Sequence, residues 1–261
     1  MEFFDTHSHY NDEKFNEDRE EIINKIYEAG VTKAVVVGDN IENSKKAIEL
    51  AKKYDFIFCG VGIHPCEIGE NKKEINKSIL EIENLAKYEK NVAIGEIGLD
   101  YYWEKDPNKK ELQKYAFLEQ IKLANKLDLP IIIHSRDAIM DTIEILKGNT
   151  LPNKKGILHC CQQNKDLVKA GLEADFYISF AGSITFKNAK NATEIIQMVP
   201  EEKLLIETDA PYLAPEPNRG KRNDSRNLIY TVAKIAEAKG TTVEEIAKKT
   251  YENGKKIYSI N

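Results

Sequence analysis

The sequence lacks the features that mark membrane and secreted proteins. No apolar run approaches the ~20 residues needed to span a bilayer, and the start, Met-Glu-Phe-Phe-Asp, does not resemble a secretory signal. The four cysteines form neither a CxxC pair nor the framework of a disulfide-rich domain. We therefore expect a cytoplasmic protein with buried or free thiols. Nothing in the sequence indicates a membrane partner or an obligate protein partner.

Arginine is scarce, although charge of both signs is plentiful. The chain has 38 basic and 43 acidic residues, a net charge of −5. This balance argues against nonspecific nucleic-acid binding through a broadly basic surface, but it leaves room for a local basic patch or for bound metal cations. Only five of the basic residues are arginines, and Arg219, Arg222 and Arg226 lie within eight residues of one another.

Short apolar runs alternate with longer amphipathic stretches along the whole chain. Such runs are typical of strands buried on both faces, as in a parallel sheet, and they cover residues 3–6, 33–37, 56–61, 92–95, 131–133, 156–158, 176–179 and 204–206. Apolar residues at helical spacing predict helices over 18–29, 42–54, 75–88, 110–127, 138–146, 189–198 and 228–239.

Two further helices complete the pattern. A brief one must lie between Cys160 and Asp175, and residues 241–245 resemble a capping box that starts a last helix. Eight strand–helix units without a linker predict an α/β fold, a single-domain (β/α)8 TIM barrel over residues 1–261. A doubly wound open sheet is the alternative. No GxGxxG follows the first strand, which argues against a dinucleotide site.

All five histidines fall where predicted strands end. His7 and His9 follow the first strand, His64 the third, His134 the fifth and His159 the sixth. Active sites of such barrels lie at the carboxyl ends of the strands. His7 and His9, two apart on an extended segment, project to the same side and form a natural pair of metal ligands. The alternative is a set of polar strand caps hydrogen-bonded to loops.

Carboxylates stand at two more strand ends. Glu96 follows the fourth strand, and Glu207 and Asp209 follow the eighth. His134 and His159 can add two more nitrogens to the pair His7 and His9. These four histidines, with one acid from each of the two strand ends, exceed what one tetrahedral ion requires, and they suit two divalent ions with one bridging carboxylate. Imidazole-rich sites favour Zn, Mn, Ni or Co over Mg.

These segments together resemble the TatD-like metal-dependent hydrolases, a branch of the amidohydrolase barrels. The matching segments are Asp-Thr-His-Ser-His (5–9), Gly-Ile-His-Pro (62–65), Gly-Glu-Ile-Gly-Leu-Asp-Tyr (95–101), Pro-Ile-Ile-Ile-His-Ser-Arg-Asp-Ala (130–138), His-Cys (159–160), Glu-Thr-Asp-Ala-Pro-Tyr-Leu-Ala-Pro (207–215) and Arg-Gly-Lys-Arg-Asn (219–223). Two places differ. Many members have Cys-Phe-Ser-Gly where this chain has Cys-Cys-Gln-Gln (160–163), and Glu-Pro where it has Asp224 and Ser225.

The resemblance implies a deoxyribonuclease that cleaves phosphodiester bonds with two divalent ions, and Mg or Mn as the activating metal. We expect a 3′–5′ exonuclease acting on single-stranded DNA ends. The resemblance assigns His7, His9, Glu96 and Asp209 to one ion, and Glu96, His134 and His159 to the other. Glu96 then stands where related barrels use a carboxylated lysine as the bridge.

Two other functions remain open at this point. The same metals could hydrolyse another ester or an amide, for example in removing D-amino acids from tRNA, and a fold-level match does not fix the substrate. A nucleic-acid-binding or scaffold protein with a decayed site is the third reading, and the intact set of six ligands argues against it.

The catalytic residues are expected to be Asp209 and Glu96. Asp209 would accept a proton from a water whose pKa the metals lower. Glu207 is either a support for a metal ligand or a salt-bridge partner. His64 is expected to contact the substrate phosphate or leaving group, with a structural hydrogen bond as the alternative.

Three arginines are predicted to bind substrate phosphate, because guanidinium groups bind phosphate with two parallel hydrogen bonds. They are Arg136, Arg219 and Arg222. The alternatives are a pairing of Arg136 with Asp137 or another acid, and a solvated basic loop around Arg219 and Arg222.

Overall fold

The eight predicted strands form one parallel sheet whose strand order follows the chain. The computed structural model describes residues 1–148, 150–161 and 164–261. The strands are β1 (Phe3–Ser8), β2 (Val31–Val37), β3 (Ile57–Val61), β4 (Asn91–Asp100), β5 (Ile131–Arg136), β6 (Gly156–Leu158), β7 (Tyr177–Phe180) and β8 (Leu204–Ile206).

Helices connect the strands and cover the outside of the sheet. They are α1 (Arg19–Glu28), α2 (Ile41–Lys53), α3 (Lys72–Leu85), α4 (Pro107–Leu127), α5 (Ile139–Lys147), α6 (Lys165–Glu173), α7 (Ala192–Met198), α8 (Leu228–Lys239) and α9 (Val243–Tyr258). The predicted capping box is present, because Thr242 Oγ1 accepts from the Glu245 N–H and Glu245 accepts from the Thr242 N–H.

The last strand lies beside the first, so the sheet curls into a nearly closed barrel. Thr6 Oγ1 donates to the Ile206 carbonyl oxygen at 2.8 Å, and the Asp209 N–H donates to the His7 carbonyl oxygen at 3.0 Å. The (β/α)8 prediction is confirmed, and the open-sheet alternative is wrong. The closure also joins the two ends of the sequence that carry predicted metal ligands.

Three strands run further than their apolar cores predict. β1 continues to Ser8, β4 to Asp100 and β5 to Arg136. The expectation that their polar residues follow the strands is therefore corrected: His7, Glu96 and His134 lie on the strands themselves. Gly98 pairs with His134 and Asp100 with Arg136, so β4 and β5 remain paired beyond their apolar residues. This backbone pairing does not depend on side-chain polarity.

Helix starts shift where capping residues were not used in the prediction. α4 begins at Pro107 rather than at residue 110, because Asp106 caps it by accepting from the Asn108 N–H and Pro107 suits the first turn. α3 begins at Lys72, because Asn71 accepts from two backbone N–H groups of the first turn. These caps account for the earlier starts of both helices.

An apolar cluster supports the functional end of the barrel from below. It contains Phe4, Ile132 and Leu205, and Tyr258 of α9 packs against it. His134 is two residues beyond Ile132, and Glu207 two beyond Leu205. Since side chains alternate along a strand, the apolar cluster and these polar groups point to the same side of the sheet.

Cys59, Cys66 and Cys160 are free thiols, as the cysteine spacing predicts. Among the described residues, no helix is both long and apolar enough to cross a membrane.

Candidate metal centre

Four side chains from three strand ends converge on one point at the barrel mouth. His7 Nε2 and His9 Nε2 lie 3.0 Å apart. Glu96 Oε2 is 3.4 Å from His7 Nε2 and 3.5 Å from His9 Nε2. Asp209 Oδ1 is 3.7 and 3.4 Å from the same two nitrogens. Metal–ligand bonds of about 2.1 Å in a tetrahedral site place ligand atoms about 3.4 Å apart, so both carboxylates lie at ligand spacing from the histidine pair, and His7, His9 and Glu96 form a group that could hold one ion.

The other oxygen of Glu96 faces a second group of donors. Glu96 Oε1 lies 2.7 Å from His134 Nδ1 and 2.9 Å from His159 Nε2, and these two nitrogens are 3.3 Å apart. Glu96, His134 and His159 are close enough together to bind one ion. The structure therefore brings together all six predicted metal ligands, with Glu96 between the two groups.

Outer hydrogen bonds orient the imidazole rings. His9 Nδ1 lies 3.0 Å from the Val37 carbonyl oxygen, so this nitrogen donates and Nε2 is left to bind a metal. His159 Nδ1 lies 3.3 Å from Glu207 Oε1. Glu207, fully buried, also accepts from the Cys160 N–H at 2.7 Å. Such carboxylate–histidine contacts fix the ring and raise its basicity as a ligand, so Glu207 orients a candidate metal ligand.

The local charges favour positive charge at this centre. Burial opposes ionisation of Glu96, but its imidazole neighbours, led by His159, hold the pKa of its carboxyl well below its usual value. Burial likewise opposes protonation of His9 and His159, yet the surrounding carboxylates hold the pKa of both rings well above the usual value. Without a metal, protons supply the positive charge that the carboxylates require. Divalent cations carry the same sign and suit the same nitrogen and oxygen donors.

Asp209 owes its place to an uncommon backbone conformation. Its φ of 54° lies in the left-handed region, which non-glycine residues seldom adopt and which is found often at functional sites. The hydrogen bond from its N–H to His7 holds it there. Interactions with His9 and the neighbouring imidazoles outweigh burial and lower the pKa of the Asp209 carboxyl, so it is ionised at neutral pH.

Asp100 is a residue of the centre to which the sequence analysis gave no role. Its Oδ2 lies 3.1 Å from His134 Nε2, while its Oδ1 accepts from the N–H groups of Tyr102 and Trp103 at 2.9 and 3.1 Å. With His64 and His134 it forms a further cluster of donor atoms. Its place in the segment Gly-Leu-Asp, four residues after Glu96, was the available signal.

Comparison with known proteins decides the family. The family described as TatD related DNase matches residues 4–259. This chain belongs to the TatD family. It is 43% identical to the uncharacterized metal-dependent hydrolase YabD of Bacillus subtilis over 99% of both chains. It is 32% identical to the uncharacterized metal-dependent hydrolase YcfH of Escherichia coli K12, over all of this chain and 97% of YcfH.

A solved structure agrees with the barrel throughout. The TatD homologue YjjV of Escherichia coli K12 superposes with a TM-score of 0.91 at 28% identity, over 99% of this chain and 98% of YjjV. The chain is therefore a metal-dependent hydrolase of this family, and its His, Glu and Asp clusters could hold metal ions.

Two of the predicted substrate contacts line the cavity at the candidate metal centre. His64 and Arg136 border a cavity of about 870 Å³ that also contains Glu96, His134 and Asp209. His64 Nδ1 accepts from the Cys66 N–H at 3.1 Å, so its Nε2 carries the proton and lies 3.6 Å from Glu96 Oε1. Burial, reinforced by His134, lowers the pKa of His64 to about 3. His64 is thus a neutral hydrogen-bond donor beside the metal ligands.

The other two arginines are engaged with the protein. Arg219 stacks on Phe186, with 4.3 Å from the guanidinium carbon to the ring centre. Arg222 forms a two-pronged ion pair with Asp18, at 2.9 and 2.5 Å, and also donates to the Lys14 carbonyl oxygen. Their contacts with substrate phosphate remain predictions, whereas Arg136 already lies at the cavity.

The sequence departs from many family members at residues 160–163 and at residues 224–225. Gln162 and Gln163 lie outside the described residues. Ser225 is buried and donates to Asp5 Oδ2, which in turn accepts from the Thr208 N–H and hydroxyl. The expectation that Ser225 lies in a rim loop is therefore corrected, because it belongs to a buried network beneath Asp209.

Proposed function

We propose that this protein hydrolyses phosphodiester bonds in DNA, removing nucleotides from the 3′ end of single strands with two divalent ions. The observation that carries the proposal is the division of Glu96: one carboxylate oxygen faces each donor group. Paired ions about 3.5–4 Å apart are typical of enzymes that cleave phosphodiesters. The description of the matching family, TatD related DNase, supports DNA as the substrate.

The residues at the barrel mouth divide the work. When bound, divalent ions would polarise a phosphoryl oxygen and lower the pKa of the attacking water. Asp209 is ionised, and its carboxylate accepts the proton of that water. The Nε2–H of His64 faces the cavity and donates a hydrogen bond to a phosphoryl oxygen. Arg136 supplies a positive charge at the cavity wall for the next phosphate of the DNA strand.

Two metal classes suit different features of the centre. The four imidazoles favour Zn, Ni or Co, whereas hydrolysis of nucleic acids commonly uses Mg or Mn. We expect Mg or Mn to support turnover and the softer ions to bind more tightly. Single-stranded DNA ends are the expected partner, and the cytoplasm is the expected compartment.

The proposal is tested by digesting single-stranded DNA labelled at its 5′ or 3′ end. Wild type, Asp209→Asn and the matched control Asp166→Asn, which alters an exposed carboxylate on α6, are compared with Mg, with Mn and with EDTA. We expect shortening from the 3′ end by wild type and control only with metal, and at least a 100-fold lower rate for Asp209→Asn with an unchanged circular dichroism spectrum.

Two results would contradict the proposal. Intact DNA after incubation with metal-loaded wild type would exclude the nuclease function and direct the search to ester and amide substrates, beginning with D-aminoacyl-tRNA. Full activity of Asp209→Asn would exclude the assigned proton acceptor.

A further inference from the structure

Two aromatic rings and one arginine stand together at the edge of the metal cavity. Trp103 lines the cavity and is 69% exposed, and Tyr102 is 45% exposed. Their ring centres are 4.7 Å apart at an angle of 87°. The guanidinium carbon of Arg136 lies 3.9 Å from the centre of the Tyr102 ring and 5.7 Å from that of Trp103.

This group is exposed and yet firmly held. Asp100 Oδ1 accepts from the backbone N–H of both Tyr102 and Trp103, and the Tyr101 N–H donates to the Arg136 carbonyl oxygen at 2.8 Å. The other oxygen of Asp100 contacts His134. One buried carboxylate thus joins the backbone of the aromatic pair to His134, so the backbone that carries the rings is held beside the metal centre.

Exposed aromatic faces beside a cation match the chemistry of a nucleobase. Every base has a flat π-face that stacks on Trp or Tyr, and arginine adds a cation–π contribution. A base in a duplex is already stacked and paired, whereas an unpaired base is free to stack on a side chain. The metal centre attracts the phosphate, and the rings lie at the edge of the same cavity.

We propose that Trp103, Tyr102 and Arg136 form a stacking platform for the unpaired base of the nucleotide next to the phosphate that is cleaved. This proposal rests on the proposed function, because it places a nucleotide at the metal centre. The platform reads the presence of a base rather than its identity, since stacking is tolerant of sequence.

Binding can be observed at the platform itself, because Trp103 is the single tryptophan of the chain. Its fluorescence, excited at about 295 nm, is followed in the metal-loaded protein during titration with dTMP and, separately, with 2-deoxyribose 5-phosphate. We expect saturable quenching by dTMP and less than about a tenth of that quenching by the sugar phosphate. Equal quenching by both compounds, or none by dTMP, would overturn the platform.

Catalysis gives an independent measurement. The ratio of kcat/KM for thymidine 5′-p-nitrophenyl phosphate to that for methyl p-nitrophenyl phosphate reports the contribution of the nucleoside. Because one stacked base contributes ~1–3 kcal/mol, Trp103→Ala should lower this ratio roughly 5- to 150-fold. Trp103→Phe, which keeps a ring, should keep most of the ratio, and Tyr230→Ala, which removes an exposed ring on α8, should leave it unchanged.

The two proposals can fail separately. Quenching by dTMP without hydrolysis of DNA or of either phosphodiester would support the platform and reject the nuclease function. Hydrolysis of DNA with an unchanged ratio in Trp103→Ala would support the nuclease function and reject the platform.

Discussion

Glu96 is the residue on which every histidine of the chain converges. Its carboxylate oxygens have a ring nitrogen of each of the five within 3.6 Å: His7, His9, His64, His134 and His159. Glu96 is only 4% exposed, and an isolated buried carboxylate would be neutral. It stays ionised because these imidazoles surround it, and the same arrangement makes its two oxygens available to two cations.

Glu207 acts on the centre through His159, and its removal gives a residue-scale prediction. Glu207→Gln keeps the shape of the side chain but removes the negative charge beside His159 Nδ1. We expect the affinity for the ion held by His159 to fall about 10- to 100-fold, as for other supporting groups of metal ligands. Competition of the protein with a coloured chelator for Zn or Mn measures this change.

The control for Glu207 lies at the opposite end of the same strand. Glu202→Gln alters an exposed carboxylate just before β8 and should leave metal affinity unchanged. A purely structural role for Glu207 would instead appear as a lower melting temperature with unchanged metal affinity.

At the scale of elements, the pairing of β4 with β5 sets the distance between Glu96 and His134. Gly98 has φ of 144°, and a Cβ atom there would lie 2.0 Å from the carbonyl oxygen of His134. Both the backbone angle and the contact exclude a larger residue. Glycine at this position therefore lets β4, which carries Glu96, approach β5, which carries His134.

Gly98→Ala is predicted to disturb both stability and metal binding. The added methyl group must push β4 away from β5, so we expect destabilisation of at least ~2 kcal/mol, about 4–8 °C in melting temperature for a chain of this size, together with weaker metal binding. Calorimetry with and without metal measures both effects.

A second glycine provides a control, because alanine there would strain the backbone without a steric clash. Gly240 also has positive φ, 66°, but a Cβ there would meet nothing within 4 Å. Gly240→Ala should cost about 1 kcal/mol and leave metal affinity unchanged. Equal effects of the two substitutions on metal binding would contradict the explanation for Gly98.

The elements also show what the sequence can predict. Buried apolar runs locate the strands, and polar residues at the carboxyl ends of these runs are expected at the barrel mouth, so the six donor residues that the structure brings together could be selected from the sequence. The ends of β1, β4 and β5 were missed because backbone hydrogen bonds continue where the apolar pattern stops. The partner of Arg222 was missed because Asp18 lies about 200 residues away, and no local pattern reports such a pairing.

The whole molecule should become more stable with metal, and more so at higher pH. The pKa values of His9, His134 and His159 are raised in the folded metal-free protein, because carboxylates outweigh their burial. Their contribution to stability is complete below the unfolded value of about 6.5 and is lost as pH rises through the folded values. A bound cation replaces these protons, so metal affinity must rise with pH.

Thermal unfolding at pH 6 and pH 8 tests this linkage. We expect Zn or Mn to raise the melting temperature more at pH 8 than at pH 6, and EDTA to abolish the rise at both. Calorimetric titration in buffers of different ionisation enthalpy should show release of protons on binding. Equal metal-induced rises in melting temperature at the two pH values, without proton release, would contradict the protonation of His9, His134 and His159 in the metal-free protein.

The closure of β8 onto β1 has a consequence for biosynthesis. One donor group unites His7 and His9 with Asp209, and ribosomes add about 5–20 residues per second. About 10–40 s therefore separate the emergence of the first ligands from that of the last. A nascent chain cannot bring these ligands together until nearly the whole polypeptide has been made, so we expect this ion to reach its final coordination only in a barrel that is already closing.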